Sequence, residues 1–183
     1  MTAARGAFLD RDGTIIHDFH FVDRPADVSL IPGAGRAIRR LNEAKFPVMV
    51  ISNQSGIARG FFTIADYERV QARMAELLAA EGAHIDGAYV CPHHPDISGH
   101  CLCRKPGTLL FERAAVEHGL DVTRSGFAGD RYRDVQPGVT LGGLAILVPN
   151  KETPKEDLTA ASPGATVAPT LDEAVTLMLA LAP

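Results

Sequence analysis

The chain contains no tryptophan, only three cysteines, and no apolar run long enough to span a bilayer. Each shortage excludes something. Without such a run the chain is not expected to cross a membrane, and no apolar leader-like segment precedes Asp10, so a cytoplasmic protein is expected. Three thiols, Cys91, Cys101 and Cys103, are too few and too clustered for a disulfide framework, which turns attention to thiolate or metal chemistry. Charge of one sign is also scarce: 18 Lys and Arg stand against 22 Asp and Glu, a formal net charge of −4 with no basic run. Nucleic-acid and membrane-surface partners are therefore not expected, and any anion must be handled by a local cluster of cations. With 183 residues the chain is long enough to bury one full core, and a single domain over 1–183 is expected.

Strand and helix signals alternate along the chain. Ala7-Phe8-Leu9 and Pro47 to Ile51 are short continuous apolar runs, of the kind buried on both faces of a parallel sheet. Gly87 to Val90, Gly126 to Ala128 and Leu144 to Val148 supply further strands. Between them, Ala37, Ile38, Leu41 and Ala44 recur at helical spacing after Pro32-Gly33. Thr63 with Asp66 forms a capping-box signature ahead of a helix reaching about Gly82, and Leu109 to His118 reads as a helix closed by Gly119. A polar, Pro-containing connection leads to a last helix over Leu171 to Leu181. This order predicts an α/β fold with a doubly wound parallel sheet and right-handed crossovers.

The polar residues fall at the strand ends. Asp10-Arg11-Asp12-Gly13-Thr14 follows the first strand, Ser52-Asn53-Gln54-Ser55-Gly56 the second, Arg104-Lys105 ends the cysteine loop, and Gly129-Asp130 ends the fourth strand. In a parallel sheet all four would meet at one edge, where ligands bind. Two carboxylates two residues apart suit a nucleophile beside a proton carrier, with a metal ion shielding the charge of an anionic substrate. Taken alone, Asp10-Arg-Asp12 could be a solvated turn, Ser52-Asn53 a strand-end turn, Lys105 a solvated loop lysine and Asp130 a helix N-cap. Four such clusters together favour chemistry.

Cys91-Pro-His93-His94-Pro95 and Cys101-Leu-Cys103 place three thiols and one or two imidazoles within thirteen residues. Four such ligands make a closed, structural zinc site. Adjacent side chains seldom reach one ion together, so Cys91, His93, Cys101 and Cys103 form the best set, with His94 and His100 as weaker competitors. Zinc would order a loop, 91–105, that has no hydrophobic core of its own, and would fix the cations Arg104 and Lys105 that follow the last thiol.

Taken together, Asp10-Arg-Asp-Gly-Thr14, Ser52-Asn53, Lys105 and Gly129-Asp130-Arg-Tyr-Arg-Asp134 resemble the four motifs of the haloacid dehalogenase (HAD) superfamily of phosphohydrolases. The resemblance implies a Rossmann-type three-layer α/β/α fold, here without a large cap domain. It implies that Asp10 attacks phosphorus, that Asp12 serves as acid and then base, and that Ser52, Asn53 and Lys105 stabilise the phosphoryl group. It also implies a Mg²⁺ held by Asp10, Asp130 and the backbone carbonyl of Asp12, with Asp134 orienting rather than ligating. The zinc loop makes the chain similar to the D-glycero-D-manno-heptose 1,7-bisphosphate phosphatases, and the histidinol-phosphate phosphatases share that loop. By the first likeness Asp18, Phe19, His20 and Phe21, Ser52 to Ser55 (with Asn53, Gln54), Arg104 and Arg131 contact substrate, and Arg59 is a further cation available to a second phosphate. The sequence departs from that pattern at Ile16, at the apolar 18–21 segment, at Gly107-Thr108 and at Pro149-Asn150-Lys151-Glu152. The expected activity is a Mg²⁺-dependent phosphomonoesterase acting on a small phosphorylated sugar, with a monomer expected. Histidinol-phosphate hydrolysis, phosphotransfer to an acceptor other than water, and a zinc-containing binding module without catalysis are the alternatives.

Overall fold

The computed structural model describes residues 4–161 and 163–181. Six strands, β1 (Ala7–Leu9), β2 (Val48–Asn53), β3 (Gly87–Cys91), β4 (Gly126–Gly129), β5 (Leu144–Leu147) and β6 (Thr166–Val167), form one sheet in the order β3-β2-β1-β4-β5-β6. Every neighbouring pair is parallel. The chain builds outward from β1 to β3, then returns to the other side of β1 to continue with β4. That reversal makes the space beyond the ends of β1 and β4 the switch point, where an open sheet leaves a crevice because the flanking connections diverge.

Alternate side chains of each strand enter opposite layers, as the two-residue period requires. Ala7, Leu9, Val48 and Val50 pack with α1 (Ala34–Glu43), α3 (Ile64–Ala80) and α8 (Leu171–Leu179) through Ile38, Leu41, Val70, Met74, Val175 and Met178. Phe8, Met49, Ile51 and Phe127 face α5 (Leu109–His118) through Leu110, Phe111 and Ala114. Beside that layer, Ala145 and Leu147 meet Val135 of α6 (Tyr132–Leu141) and Ala161 of α7 (Lys155–Ala161). Phe8 stacks on Phe127 at 4.8 Å between ring centres and tilts against Phe111 at 5.7 Å. Burying each ring contributes about 1.5–3 kcal/mol.

The doubly wound parallel sheet with helices on both faces is as the sequence predicts. So is the capping box of α3, in which Thr63 Oγ1 accepts from the Asp66 N–H and Asp66 Oδ2 accepts from the Thr63 N–H at 2.7 Å. Among the described residues the β1–β2 and β2–β3 connections hold α1, α3, one 3₁₀ turn (Pro25–Asp27) and the four-residue α2 (Ser55–Ala58), with no cap domain. Two readings are corrected. The connection after β5 contains α7 and β6, which the pattern hides because both residues of β6 are exposed and Ala161 is the buried residue of α7. The N-cap of α6 is Arg131 rather than Asp130, because the Asp134 carboxylate accepts the Arg131 N–H at 3.1 Å. The last helix ends at Leu179, and residues 182–183 lie outside the described chain.

Candidate active site

Asp10 begins the loop after β1, and its N–H still pairs with the Ala128 carbonyl of β4. The loop turns back at Gly13, whose φ of 87° is left-handed. A Cβ there would stand 2.5 Å from Asp130 Oδ2, so only glycine lets the two loops approach this closely. Asp10, Asp130 and Asp134 consequently bring carboxylate oxygens within 4.8 Å of one another in the protein interior.

Lys105 enters this cluster from the end of the cysteine loop. Its ammonium donates to Asp10 Oδ1 at 2.5 Å and to the Ile51 carbonyl at 2.7 Å, and lies 2.8 Å from Asp134 Oδ1. Burial alone would lower the Lys105 pKa, but the facing carboxylates of Asp10 and Asp134 hold it above its ordinary value. Burial drives Asp10 well above the usual carboxylate range, against the pull of Lys105. Asp130 is pushed up to about 6 by burial and by the Asp134 charge. Three buried carboxylates therefore face one buried ammonium, with Arg131 and Arg133 farther off at 3.8 Å from Asp130 and 3.9 Å from Asp134, and a divalent cation would be attracted to this acidic cluster. The donors are all oxygens, which suits Mg²⁺. Asp134 is committed elsewhere, with Oδ1 on Lys105 and Oδ2 on the Arg131 N–H, an arrangement that favours its orienting role.

Asp12 points away from this cluster. Arg11, wholly buried, forks onto its carboxylate through Nε at 3.1 Å and Nη2 at 2.9 Å, and Gln54 Nε2 donates to Oδ2 at 2.7 Å. The same amide nitrogen reaches Ser52 Oγ at 2.5 Å. Asn53 brackets Lys105 from both sides: its Oδ1 accepts the Lys105 N–H at 3.0 Å, and its Nδ2 donates to the Lys105 carbonyl at 3.2 Å. The end of the second strand thus positions Asp12 and Lys105.

Above these groups opens a cavity of about 310 Å³. Asp10, Asp12 and Asp130 lie in its walls with Asp18, His20, Phe21, Asn53, Gln54, Ser55, Arg104 and Arg131. Ser52 and Lys105 sit beneath the walls, both buried. Phe19 and Arg59 lie outside them: Phe19 is exposed and turned toward His17, and Arg59 Nη2 is 2.7 Å from His94 Nε2. Arg133, not singled out in the sequence, also lines the cavity. It follows Asp130 by three residues, and that spacing at a helix start was the available signal. Arg11 and Asn150 were missed too, because the first reads as a solvated charge and the second as loop filler.

His20 and Phe21 adopt left-handed backbone, with φ of 56° and 71°. Such a conformation costs non-glycine residues of order 1–3 kcal/mol each. Phe21 meets Phe61 edge-on at 5.0 Å between ring centres, and Gly56 leaves room where a Cβ would strike Phe62.

The cysteine loop closes beside the cavity. Cys91, His93, Cys101 and Cys103 converge, with Cys91 Sγ 3.7 Å from Cys101 Sγ, Cys103 Sγ 3.3 Å from Cys101 Sγ, and His93 Nδ1 3.2 Å from Cys103 Sγ. A tetrahedron of ~2.3 Å zinc–sulfur bonds has edges of about 3.8 Å, so the set fits zinc after small adjustments. His94 is turned away, its Nδ1 accepting the Asp96 N–H at the start of the short helix α4 (Pro95–Ser98). Arg104 Nη1 donates to the His93 carbonyl, which couples the cysteine loop to the cavity wall.

Residues 102–174 match the HAD-hydrolase-like family. Over 150 residues, 77% of this chain and 76% of the relative, the sequence is 39% identical to D-glycero-D-manno-heptose-1,7-bisphosphate 7-phosphatase of Thermosynechococcus vestitus. The chain belongs to the heptose bisphosphate phosphatase family, within the HAD-type hydrolases of phosphate monoesters. The Escherichia coli K12 member of this family, D-glycero-beta-D-manno-heptose-1,7-bisphosphate 7-phosphatase, is 40% identical over 149 residues, 77% of either chain. Among solved structures, the D,D-heptose 1,7-bisphosphate phosphatase from B. bronchiseptica, complexed with magnesium and phosphate, superposes with a TM-score of 0.86 at 32% identity. That match covers 97% of this chain and 99% of the other. HAD phosphatases of this family are Mg²⁺-dependent.

Proposed function

We propose that the protein is a Mg²⁺-dependent phosphatase that hydrolyses a sugar bisphosphate, D-glycero-D-manno-heptose 1,7-bisphosphate being the substrate its relatives name. The observation that carries this reading is one buried carboxylate, Asp10, held by Lys105 below a cavity with Arg104, Arg131 and Arg133 in its walls. One ester phosphate fits above Asp10. A second phosphate needs cations at a distance from the first, and guanidinium forks are suited to it.

In the proposed reaction an Asp10 carboxylate oxygen attacks phosphorus and forms an aspartyl-phosphate, while the bond to the sugar oxygen breaks. Asp12 gives its proton to that leaving oxygen. Water then attacks phosphorus, Asp12 takes a proton from it, and the phosphorus–Asp10 bond breaks to release inorganic phosphate. Lys105 neutralises charge on the phosphoryl oxygens, with Ser52 behind it fixing the Gln54 amide against Asp12. Asp10, Asp130 and the Asp12 carbonyl would hold Mg²⁺. When bound, that ion supplies positive charge against the phosphoryl oxygens. Asp18, His20, Phe21, Asn53, Gln54, Ser55, Arg104 and Arg131 are the proposed substrate contacts, and Cys91, His93, Cys101 and Cys103 the ligands of a structural zinc ion. The chain is proposed to work as a monomeric, single catalytic unit in the cytoplasm.

The test is to compare turnover of the heptose bisphosphate, sugar monophosphates and histidinol phosphate, with Asp10→Asn as the inactive reference. Preference for the bisphosphate, weakened by Arg104→Ala, is expected. Preference for histidinol phosphate would overturn the substrate assignment, and activity retained by Asp10→Asn would overturn the mechanism.

A further inference from the structure

The loop after β5 reaches back to the acidic cluster. Asn150 Nδ2 donates to the Gly13 carbonyl and to Asp130 Oδ2, both at 3.0 Å. One amide nitrogen therefore joins the turn that carries Asp10 and Asp12 to the loop that carries Asp130. The amide is itself held, since Asn150 Oδ1 accepts the Glu152 N–H at 2.8 Å, which fixes which end of the side chain faces the acid. The Asn150 N–H donates to Thr153 Oγ1 at 2.9 Å, and the Thr153 hydroxyl donates to the Asp130 carbonyl at 2.8 Å. Asp130 is gripped at its carboxylate by Asn150 and at its backbone by Thr153. Among the described residues no hydrogen-bond donor engages Asp130 Oδ1.

We infer that Asn150, locked by Thr153, is a positioning residue that sets the Asp130 carboxylate for metal binding. Three features favour this over ordinary loop packing. The amide spends its donors on a carboxylate and on the carbonyl of the turn between the two acidic motifs, rather than on its own loop. Its acceptor is used separately, so the orientation is determined. The approach is also tight, because a Cβ on Gly13 would lie 3.1 Å from Asn150 Nδ2. A carboxylate with one oxygen tied to an amide keeps its plane fixed while the other oxygen stays available. Partners of this kind are worth roughly 10- to 100-fold in metal affinity or activity. The inference rests on the metal assignment made above for Asp130.

The test measures Mn²⁺ affinity by electron paramagnetic resonance on the full, zinc-loaded chain, for Asn150→Ala, Thr153→Val, Lys151→Ala and Asp130→Asn. Asn150→Ala is expected to weaken Mn²⁺ binding roughly tenfold or more. The Mg²⁺ concentration for half-maximal activity should rise in parallel, with kcat largely restored at saturating Mg²⁺. Thr153→Val, which keeps the Asn150 amide, should shift affinity in the same direction by less, and serves if Asn150→Ala folds poorly. Lys151→Ala, an exposed neighbour, should leave affinity unchanged. Mn²⁺ affinities of Asn150→Ala and Thr153→Val within twofold of the parent, while Asp130→Asn loses the ion, would overturn the inference alone. Mn²⁺ binding retained by Asp130→Asn would overturn the metal assignment together with it.

Discussion

The Lys105 ammonium stands 2.5 Å from Asp10 Oδ1 although 95 residues separate the two in sequence. Nothing local produces this contact. It exists because β1 and β2 are sheet neighbours, the Lys105 backbone is bracketed by Asn53 at the end of β2, and the ammonium itself reaches the Ile51 carbonyl.

Removing that ammonium leaves Asp10 buried without its partner, and Asp134 with only the longer contact to Arg133 at 3.9 Å. Breaking one side of a buried ion pair costs about 3–5 kcal/mol, so Lys105→Ala should lower the melting temperature by roughly 10 °C. Turnover should fall at least ~100-fold, since a fixed cation at the phosphoryl group is lost. Adding Asp134→Asn should recover part of the stability and none of the turnover, measured by calorimetry beside phosphate release.

Arg11 holds Asp12, the proposed proton carrier, from outside the cavity walls. Its guanidinium forks onto Asp12 and lies 5.2 Å from the Tyr67 ring centre. Lysine carries the charge but cannot form the fork. Arg11→Lys should therefore lower kcat about tenfold with KM nearly unchanged. A change in KM alone, seen in steady-state kinetics, would show that Arg11 serves binding instead.

Metal analysis of the purified protein should find zinc at one ion per chain. Stripping it with a strong chelator should loosen residues 91–105, exposing them to protease, and should abolish activity because Arg104 and Lys105 follow the last ligand directly. Re-addition of Zn²⁺ should restore both. Cys103→Ser should reproduce the stripped state, whereas His94→Ala should not, since His94 is turned toward Arg59.

Acid stability should report on Glu117. Its Oε2 accepts the Tyr89 hydroxyl at 2.6 Å and its Oε1 accepts Arg113 Nε at 2.8 Å, and these partners hold its carboxyl below the usual range. A carboxyl whose folded pKa is depressed stabilises the protein above its unfolded pKa, and that contribution disappears as pH falls through the folded value. In urea titrations Glu117→Gln should have a lower midpoint than the parent at pH 7, and the gap should narrow steadily below about pH 4.

The residues that gather at the candidate sites were legible because they are written in short spacings. Asp10-Arg-Asp12, Gly129-Asp130 and the Cys91, His93, Cys101, Cys103 set each lie within one loop, where strand or turn geometry already limits where the side chains go. The walls of the cavity were less legible. Phe19 and Arg59 carry plausible chemistry at plausible positions, yet one turns outward on a left-handed loop and the other is drawn to His94. Arg11 looked like a surface charge and is buried, because its partner Asp12 is the adjacent residue and Tyr67 covers it.

By itself the sequence determined the alternation of strands and helices, the acidic turn at the end of β1, and the cysteine and histidine residues that can share one zinc ion. These are consequences of local periodicity and of ligands only a few residues apart. Only the tertiary structure decided that Lys105 would neutralise Asp10, that Asn53 would hold the backbone of Lys105, and that Asn150 would grip Asp130. Each of these pairings joins strand ends or loops distant along the chain, and no local pattern encodes them. They arise when the order β3-β2-β1-β4-β5-β6 brings those ends within hydrogen-bonding distance at one edge of the sheet.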